Sequence, residues 1–285
     1  MQPGETPPVA SAIGVFDSGI GGLSVLKALR AELPHEHFLY IADSGHAPYG
    51  ERDEAHVLAR SRAIVRYLVD QNVKALVMAC NTATAAAIRL LRGEHPALAL
   101  VGVEPALKPA ARLTRTGRIG VMATRSTLAS EKFRALQATQ SGGEREIEFV
   151  VQPCDGLAHA IEASASSGDA TKVIALCADY TRAMGRFGLE NGEIDTLVLG
   201  CTHYPFASEH LRALVGPKVQ FIDNGAAVAR QTRRLLSALP LAVSPLAPEP
   251  TPGRVSLFTT GQPQALQAAA LRWLGLSAPV RLLEF

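Results

Sequence analysis

Ala75-Leu-Val-Met-Ala-Cys80-Asn-Thr82 resembles Thr196-Leu-Val-Leu-Gly-Cys201-Thr-His203, position for position as far as the cysteine. Each stretch is a short aliphatic run, then a thiol, then polar residues. A continuous apolar run of this length fits a strand buried on both faces. A second echo precedes each one, because Ala12-Ile-Gly-Val-Phe16 returns as Arg118-Ile-Gly-Val-Met122. Each half of the chain thus opens on an Ile-Gly-Val strand and later carries a strand ending in cysteine. Both the order and the cysteine placement recur. The expectation is two similar α/β halves facing each other across a cleft, each offering a thiol from a strand end.

The surrounding sequence agrees. Buried strands are predicted at Ile13–Phe16, Phe38–Ala42, Ala75–Ala79, Leu98–Val103, Ile119–Met122, Ile147–Val151, Thr196–Leu199 and Val219–Ile222, with a later one near Val255–Thr259. Segments of helical spacing lie between them, such as Glu51–Val69 with Val57, Ile64 and Leu68 on one stripe. Alternating strands and helices imply mostly parallel sheets covered on both faces. The fold class is therefore α/β, with two similar three-layer domains related by a pseudo-twofold axis and the site in the cleft between them. The first domain is expected to comprise residues 1–104 plus 222–285, and the second residues 105–221. Ser141-Gly142-Gly143 reads as a surface turn, and the proline-rich Ala238–Gly253 stretch as an extended connection. A length of 285 residues suits two domains at roughly 150 residues each.

Composition narrows the function. Hydrophobic residues make up 47% of the chain and charged residues 19%, which supports a packed core. Basic and acidic side chains number 28 and 26, and there is no basic stripe, so a nucleic-acid partner is not expected. No segment approaches the roughly 20 apolar residues of a membrane span, and Met1–Ser11 lacks the features of a signal peptide. The expectation is a cytoplasmic chain. Its cysteines, Cys80, Cys154, Cys177 and Cys201, form no CxxC pair and suggest neither a disulfide framework nor a zinc site.

Cys80 and Cys201 each end a strand and precede a helical start, where free backbone N–H groups favour negative charge and lower a thiol's pKa. Cys177 reads as core, and Cys154, in a loop after Pro153, is assigned no role. A symmetrical thiol pair across a cleft suits inversion at a Cα–H centre, which needs a base on one face and an acid on the other. The proton is held more tightly by carbon than by sulfur by about a dozen pKa units, on the order of 17 kcal/mol. The developing carbanion then needs fixed hydrogen-bond donors. Asn81, Thr82 and Thr202 adjoin the thiols, and His203 lies two residues beyond Cys201.

Asp17-Ser18-Gly19-Ile20-Gly21-Gly22 follows the first strand and invites a dinucleotide reading, with Asp43 at the end of the next strand. Against it, Ser24 occupies the third glycine position, and Asp17 would set a carboxylate beside a pyrophosphate. The alternative is an ammonium received by Asp17 with Ser18 hydrogen-bonding. Tyr49-Gly50 sits in a turn after a strand end and is a candidate cap for a substrate tail. No lysine occupies a convincing Schiff-base setting for pyridoxal phosphate.

These segments, together with Gly102-Val-Glu-Pro105, Leu199–Pro205 and Thr259-Thr-Gly-Gln262, resemble the glutamate racemase family of the aspartate/glutamate racemase superfamily. The resemblance implies interconversion of L- and D-glutamate without cofactor or metal, supplying D-glutamate for peptidoglycan. It gives Cys80 the proton of D-glutamate and Cys201 that of L-glutamate, assisted by Asp17 and His203. By spacing from Cys154, the family's assisting glutamate falls on Glu162, although little between the two residues matches the family. Substrate contacts fall on Asp17, Ser18, Tyr49, Gly50, Asn81, Thr82, Thr202 and His203. The partner is a small amino acid, and relatives often form homodimers. The competing readings are a racemase for aspartate or another amino acid, and a thiol-redox or ligand-binding α/β module.

Overall fold

A computed structural model describes residues 12–141, 146–238 and 252–285. Gly142-Gly143 of the expected turn and most of the Ala238–Gly253 connection lie outside the described residues.

Among the described residues, ten strands form two sheets. The first contains β1 (Ile13–Asp17), β2 (Phe38–Ala42), β3 (Ala75–Met78), β4 (Ala99–Gly102), β9 (Val255–Thr259) and β10 (Val280–Leu282), in the order β10-β9-β2-β1-β3-β4. The second contains β5 (Arg118–Ala123), β6 (Glu148–Pro153), β7 (Thr196–Leu199) and β8 (Gln220–Ile222), in the order β6-β5-β7-β8. Every strand pairing within the two sheets is parallel. Parallel neighbours need crossover connections, and these supply the helical layers on each face.

The internal echo is structural. Order β2-β1-β3-β4 repeats as β6-β5-β7-β8, with the Ile-Gly-Val strand in the same place. Register repeats too: Ile13 pairs with Phe38 and Ala75, as Ile119 pairs with Phe149 and Thr196.

Alternation along the strands divides each core into two. Ile13, Val15 and Val77 pack with the Leu23–Glu32, Gly225–Ala238 and Pro263–Leu274 helices, whereas Phe16, Leu76 and Met78 pack with Glu54–Asp70 and Asn81–Glu94. Met122, Leu197 and Leu199 similarly face one way, and Ile119, Val121 and Val198 the other. Each such side chain withdrawn from water contributes about 1.5–3 kcal/mol. After β8 the Gly225–Ala238 helix returns to pack on the Leu23–Glu32 helix. The expectation that all the strands are buried fails at β6 and β8. Both are edge strands with partly or fully exposed positions, including Val151 at 41% exposure.

Candidate functional site

The carboxyl ends of β1, β3 and β7 converge on one cleft of about 390 Å³, counting its open mouth. It is lined by Ser18, Tyr49, Gly50, Cys80, Asn81, Thr82, Glu162, Cys201, Thr202 and His203, with Ala47, Pro48, Thr124 and Ala158 completing the wall. Asp17 lies just behind, fully buried. Every site residue singled out from sequence is thus in or against this cleft, with the two thiols contributed by different sheets. Thr124 was missed. It follows β5 as Ser18 follows β1, and its hydroxyl lies 3.1 Å from that of Thr82.

Cys80 caps the Asn81–Glu94 helix, its Sγ accepting from the Ala83 N–H at 3.5 Å. This is the helix start expected to favour a thiolate, but the outcome is the reverse. Burial pushes the Cys80 thiol well up, and the Asp17 and Cys201 charges push it further, outweighing the Ala83 and Ser18 hydrogen bonds. Asp17 is itself raised by burial, offset in part by the His203 charge and by the neighbouring Cys80 and Ser18. Its carboxylate accepts the Ser18 N–H at 2.7 Å and the Thr202 hydroxyl at 3.1 Å.

The second thiol has a different neighbour. Cys201 Sγ lies 3.7 Å from His203 Nδ1, and His203 Nε2 lies 2.7 Å from Glu162 Oε1. Burial lowers the His203 pKa, yet hydrogen bonds and charge from Cys201 and Glu162 carry it well above the ordinary histidine value. Glu162, on the Leu157–Ser167 helix, also accepts the Ile20 N–H at 2.7 Å. The poorly matching segment before it therefore still delivers its carboxylate to the site.

The glycine-rich loop serves this approach. A Cβ on Gly19 would stand 1.9 Å from Glu162 Oε1, and one on Gly21 would stand 2.4 Å from His203 Nδ1. Only bare backbone at these two positions lets the second sheet's side chains reach the first sheet's loop. Asp43, the other mark of a dinucleotide site, is held by Arg60, Tyr49 and Thr260.

Two further bonds fasten the seam: Asn81 Nδ2 donates to Gly200 O at 2.7 Å, and the Ser24 hydroxyl donates to Thr202 O at 2.8 Å. Asn224 Nδ2 in turn donates to Asn81 Oδ1 at 3.3 Å. The Asn81 amide is thus engaged across the seam. Cys177 is fully buried, its thiol pushed up to about 12 by burial. Cys154 is buried in the same cluster, beside Tyr204. Among the described residues no group of three His, Cys, Asp or Glu is arranged to hold a metal, and no helix is long and apolar enough to cross a membrane.

Comparison with known proteins gives a consistent result. The family model described as Asp/Glu/Hydantoin racemase matches residues 14–232. The chain is 46% identical to a glutamate racemase of Ectopseudomonas mendocina over 270 residues, covering 95% of this chain and 97% of that protein. It is 45% identical to the Herpetosiphon aurantiacus glutamate racemase over 251 residues, covering 88% and 93%. Among solved structures, a Bacillus anthracis glutamate racemase superposes with a TM-score of 0.81 at 30% identity, covering 96% of this chain and 98% of that one. The Escherichia coli glutamate racemase, solved in complex with L-glutamate, gives 0.80 at 32% identity, covering 95% and 98%.

Proposed function

As the chain belongs to the Asp/Glu/hydantoin racemase family, we propose that it interconverts L- and D-glutamate by passing protons between two thiols. The observation that carries this reading is the convergence of Cys80 and Cys201, from equivalent strands of two matched sheets, on one cleft. A carbon held between them meets sulfur on both sides.

In the direction starting from L-glutamate, Cys201 as thiolate takes the α-proton. The Cα–H electron pair stays on the substrate, and the Cys80 S–H then delivers a proton to the opposite face. The product is D-glutamate, with Cys201 protonated and Cys80 deprotonated. The reverse direction exchanges the two roles. Asp17 takes up and returns the Cys80 proton through Ser18, whose hydroxyl accepts from Cys80 Sγ at 3.8 Å and donates to Asp17 Oδ1 at 3.4 Å, and its carboxylate faces the substrate ammonium. His203, kept protonated by Glu162, sets a positive charge beside Cys201 Sγ. The ammonium and the imidazolium together stabilise the negative charge that develops when the proton leaves. Ser18, Thr82, Thr202, Tyr49 and Gly50 line the remaining walls as substrate contacts.

The cleft then separates a unit of residues 12–104 plus 222 onward from a unit of residues 105–221. The product would feed peptidoglycan synthesis from the cytoplasm, a reducing compartment that suits four free, buried cysteines. The glutamate relatives favour glutamate over aspartate as substrate.

A chiral assay on protein free of pyridoxal phosphate tests the reading. Wild type should racemise L-glutamate faster than L-aspartate and exchange its α-proton with deuterated solvent. Cys80→Ala and Cys201→Ala should each lose racemisation, by at least about a thousandfold. Near-full activity in either variant would rule out two thiols. Growth of a D-glutamate auxotroph carrying the gene tests the biosynthetic role.

A further inference from the structure

Asp43 directly follows β2 with no solvent exposure, and neither of its carboxylate oxygens is idle. Arg60 reaches it from the Glu54–Asp70 helix with two parallel bonds, Nε to Oδ2 at 3.0 Å and Nη2 to Oδ1 at 2.9 Å. The Tyr49 hydroxyl donates to Oδ2 at 2.5 Å, and the Thr260 hydroxyl donates to Oδ1 at 2.7 Å. Thr260 also accepts the Gly45 N–H at 3.1 Å. Three side chains of the first sheet's unit therefore place four hydrogen bonds on one carboxylate, and together they fix the loop from Asp43 to Gly50.

That loop is a wall of the cleft. Tyr49 and Gly50 face it, Gly50 stands against Thr124 of the opposite unit, and Tyr49 is 1% exposed. Tyr49 cannot swing its phenol toward substrate without abandoning Asp43. Burial and the Asp43 charge keep that hydroxyl protonated, and so a donor. Arg60 is fixed from its other side, with Phe285 lying 5.5 Å from its guanidinium and packing edge-on against Tyr67. A bidentate guanidinium–carboxylate pair is directional, so it sets an angle as well as a distance. Neither Asp43 nor Arg60 lines the cleft, and the proposed proton transfer uses neither.

We infer that Asp43 and Arg60 are positioning residues that fix the Tyr49–Gly50 wall against the substrate's side chain. The inference rests on the racemase reading and concerns how firmly the amino acid is held, leaving proton transfer to the thiols. Weakening the clamp lets the wall drift, and drift costs binding of substrate and transition state alike.

The test is steady-state glutamate racemisation by the full chain carrying Arg60→Ala, Arg60→Lys, Tyr49→Phe, and Tyr49→Phe with Arg60→Ala. Arg60→Ala should raise KM about tenfold with kcat within about twofold of wild type. Arg60→Lys, which keeps the charge but loses the fork, should recover part of that KM. Tyr49→Phe should raise KM by itself, and the double variant should fall short of the product of the single effects. Should Arg60→Ala fail to fold, Tyr49→Phe still decides, because it leaves the ion pair in place. Unchanged KM in Tyr49→Phe, or a loss confined to kcat in either single variant, overturns the inference while the racemase reading stands. A wild type without racemase activity overturns both.

Discussion

His203 Nε2 and Glu162 Oε1 are 2.7 Å apart, although one residue follows β7 and the other lies on the Leu157–Ser167 helix. The same carboxylate oxygen also receives the Ile20 N–H. Glu162 therefore joins the glycine-rich loop of the first sheet to the histidine beside Cys201. It also contributes to the elevation of the His203 pKa, against the pull of burial.

Glu162→Gln separates these two duties. The amide oxygen can still accept from Ile20, so the loop stays, while the charge that supports the imidazolium is gone. A His203 that must be protonated works below its pKa and fails as pH rises through it. Removing the carboxylate lowers that pKa, so the alkaline limb of kcat/KM should move to lower pH. At its optimum kcat should fall by about ten- to a hundredfold. An alkaline limb that stays in place would mean that Glu162 does not hold the His203 proton.

Asp17 should show opposite effects on reactivity and on catalysis. Its charge raises the Cys80 pKa, second only to burial. Asp17→Asn should therefore lower that pKa and speed alkylation of Cys80 by iodoacetamide at pH 8, followed peptide by peptide with mass spectrometry. The gain should be about threefold per unit, since a less basic thiolate is also a weaker nucleophile. Racemisation should fall in the same variant, because the proton acceptor for Cys80 is lost. Slower alkylation with lower activity would mean that Asp17 acts only by shaping the cleft.

Much of this was legible in the sequence, and the reason is burial. Phe38–Ala42, Thr196–Leu199 and Val255–Thr259 are aliphatic or aromatic strands whose observed limits match the expected ones. β10 was missed because Val280-Arg-Leu282 is an edge strand with two exposed residues, which carries no hydrophobic run. The thiols were readable because the repeat placed both at strand ends. Thr124 was readable in principle, since aligning Ile119-Gly-Val with Ile13-Gly-Val sets Thr124 on Ser18. Glu162 was reached only through the family resemblance, by its spacing from Cys154, because the residues around it carry no signal of their own. Its neighbours Leu157, Ala158 and Ile161 mark only a core-facing helix, and its partners Ile20 and His203 are remote in the chain. The direction of the Cys80 shift was also hidden. A helix start can be read locally, whereas an enclosing cleft and the Asp17 carboxylate are tertiary facts.

Glycine supplies a paired test of close approach. Gly19→Ala would set a Cβ 1.9 Å from Glu162 Oε1, so the carboxylate must leave both Ile20 and His203. Its kcat should drop at least tenfold, roughly the Glu162→Gln effect, with the same shift of the alkaline limb. Gly93, late in the Asn81–Glu94 helix, has nothing within 4 Å of a new Cβ. Gly93→Ala should leave activity alone and stabilise the protein by about 0.5–1 kcal/mol, read from urea unfolding. A Gly19→Ala enzyme with wild-type kcat would contradict the packed loop.

Asp195 offers a stability test remote from the cleft. It is 2% exposed and precedes β7. It accepts the Thr114 hydroxyl at 2.7 Å, the Arg115 and Thr116 N–H groups at 2.5 and 2.9 Å, and the Thr196 hydroxyl at 2.9 Å. Burial raises its pKa, but these four donors outweigh burial and hold it below the ordinary aspartate value of 3.8. A depressed folded-state pKa adds stability that is complete above the unfolded value and drains away as pH falls through the folded one. Asp195→Asn can keep an oxygen for the two backbone N–H groups at Oδ2 but puts an NH2 where Oδ1 receives the two hydroxyls and removes the charge, costing about 1–3 kcal/mol at pH 7. The gap between wild type and variant in urea unfolding should hold from pH 7 to about 5 and narrow below about 4. A gap that stayed constant to pH 3 would mean that the bonds matter through shape alone, and that the carboxylate charge contributes nothing to them.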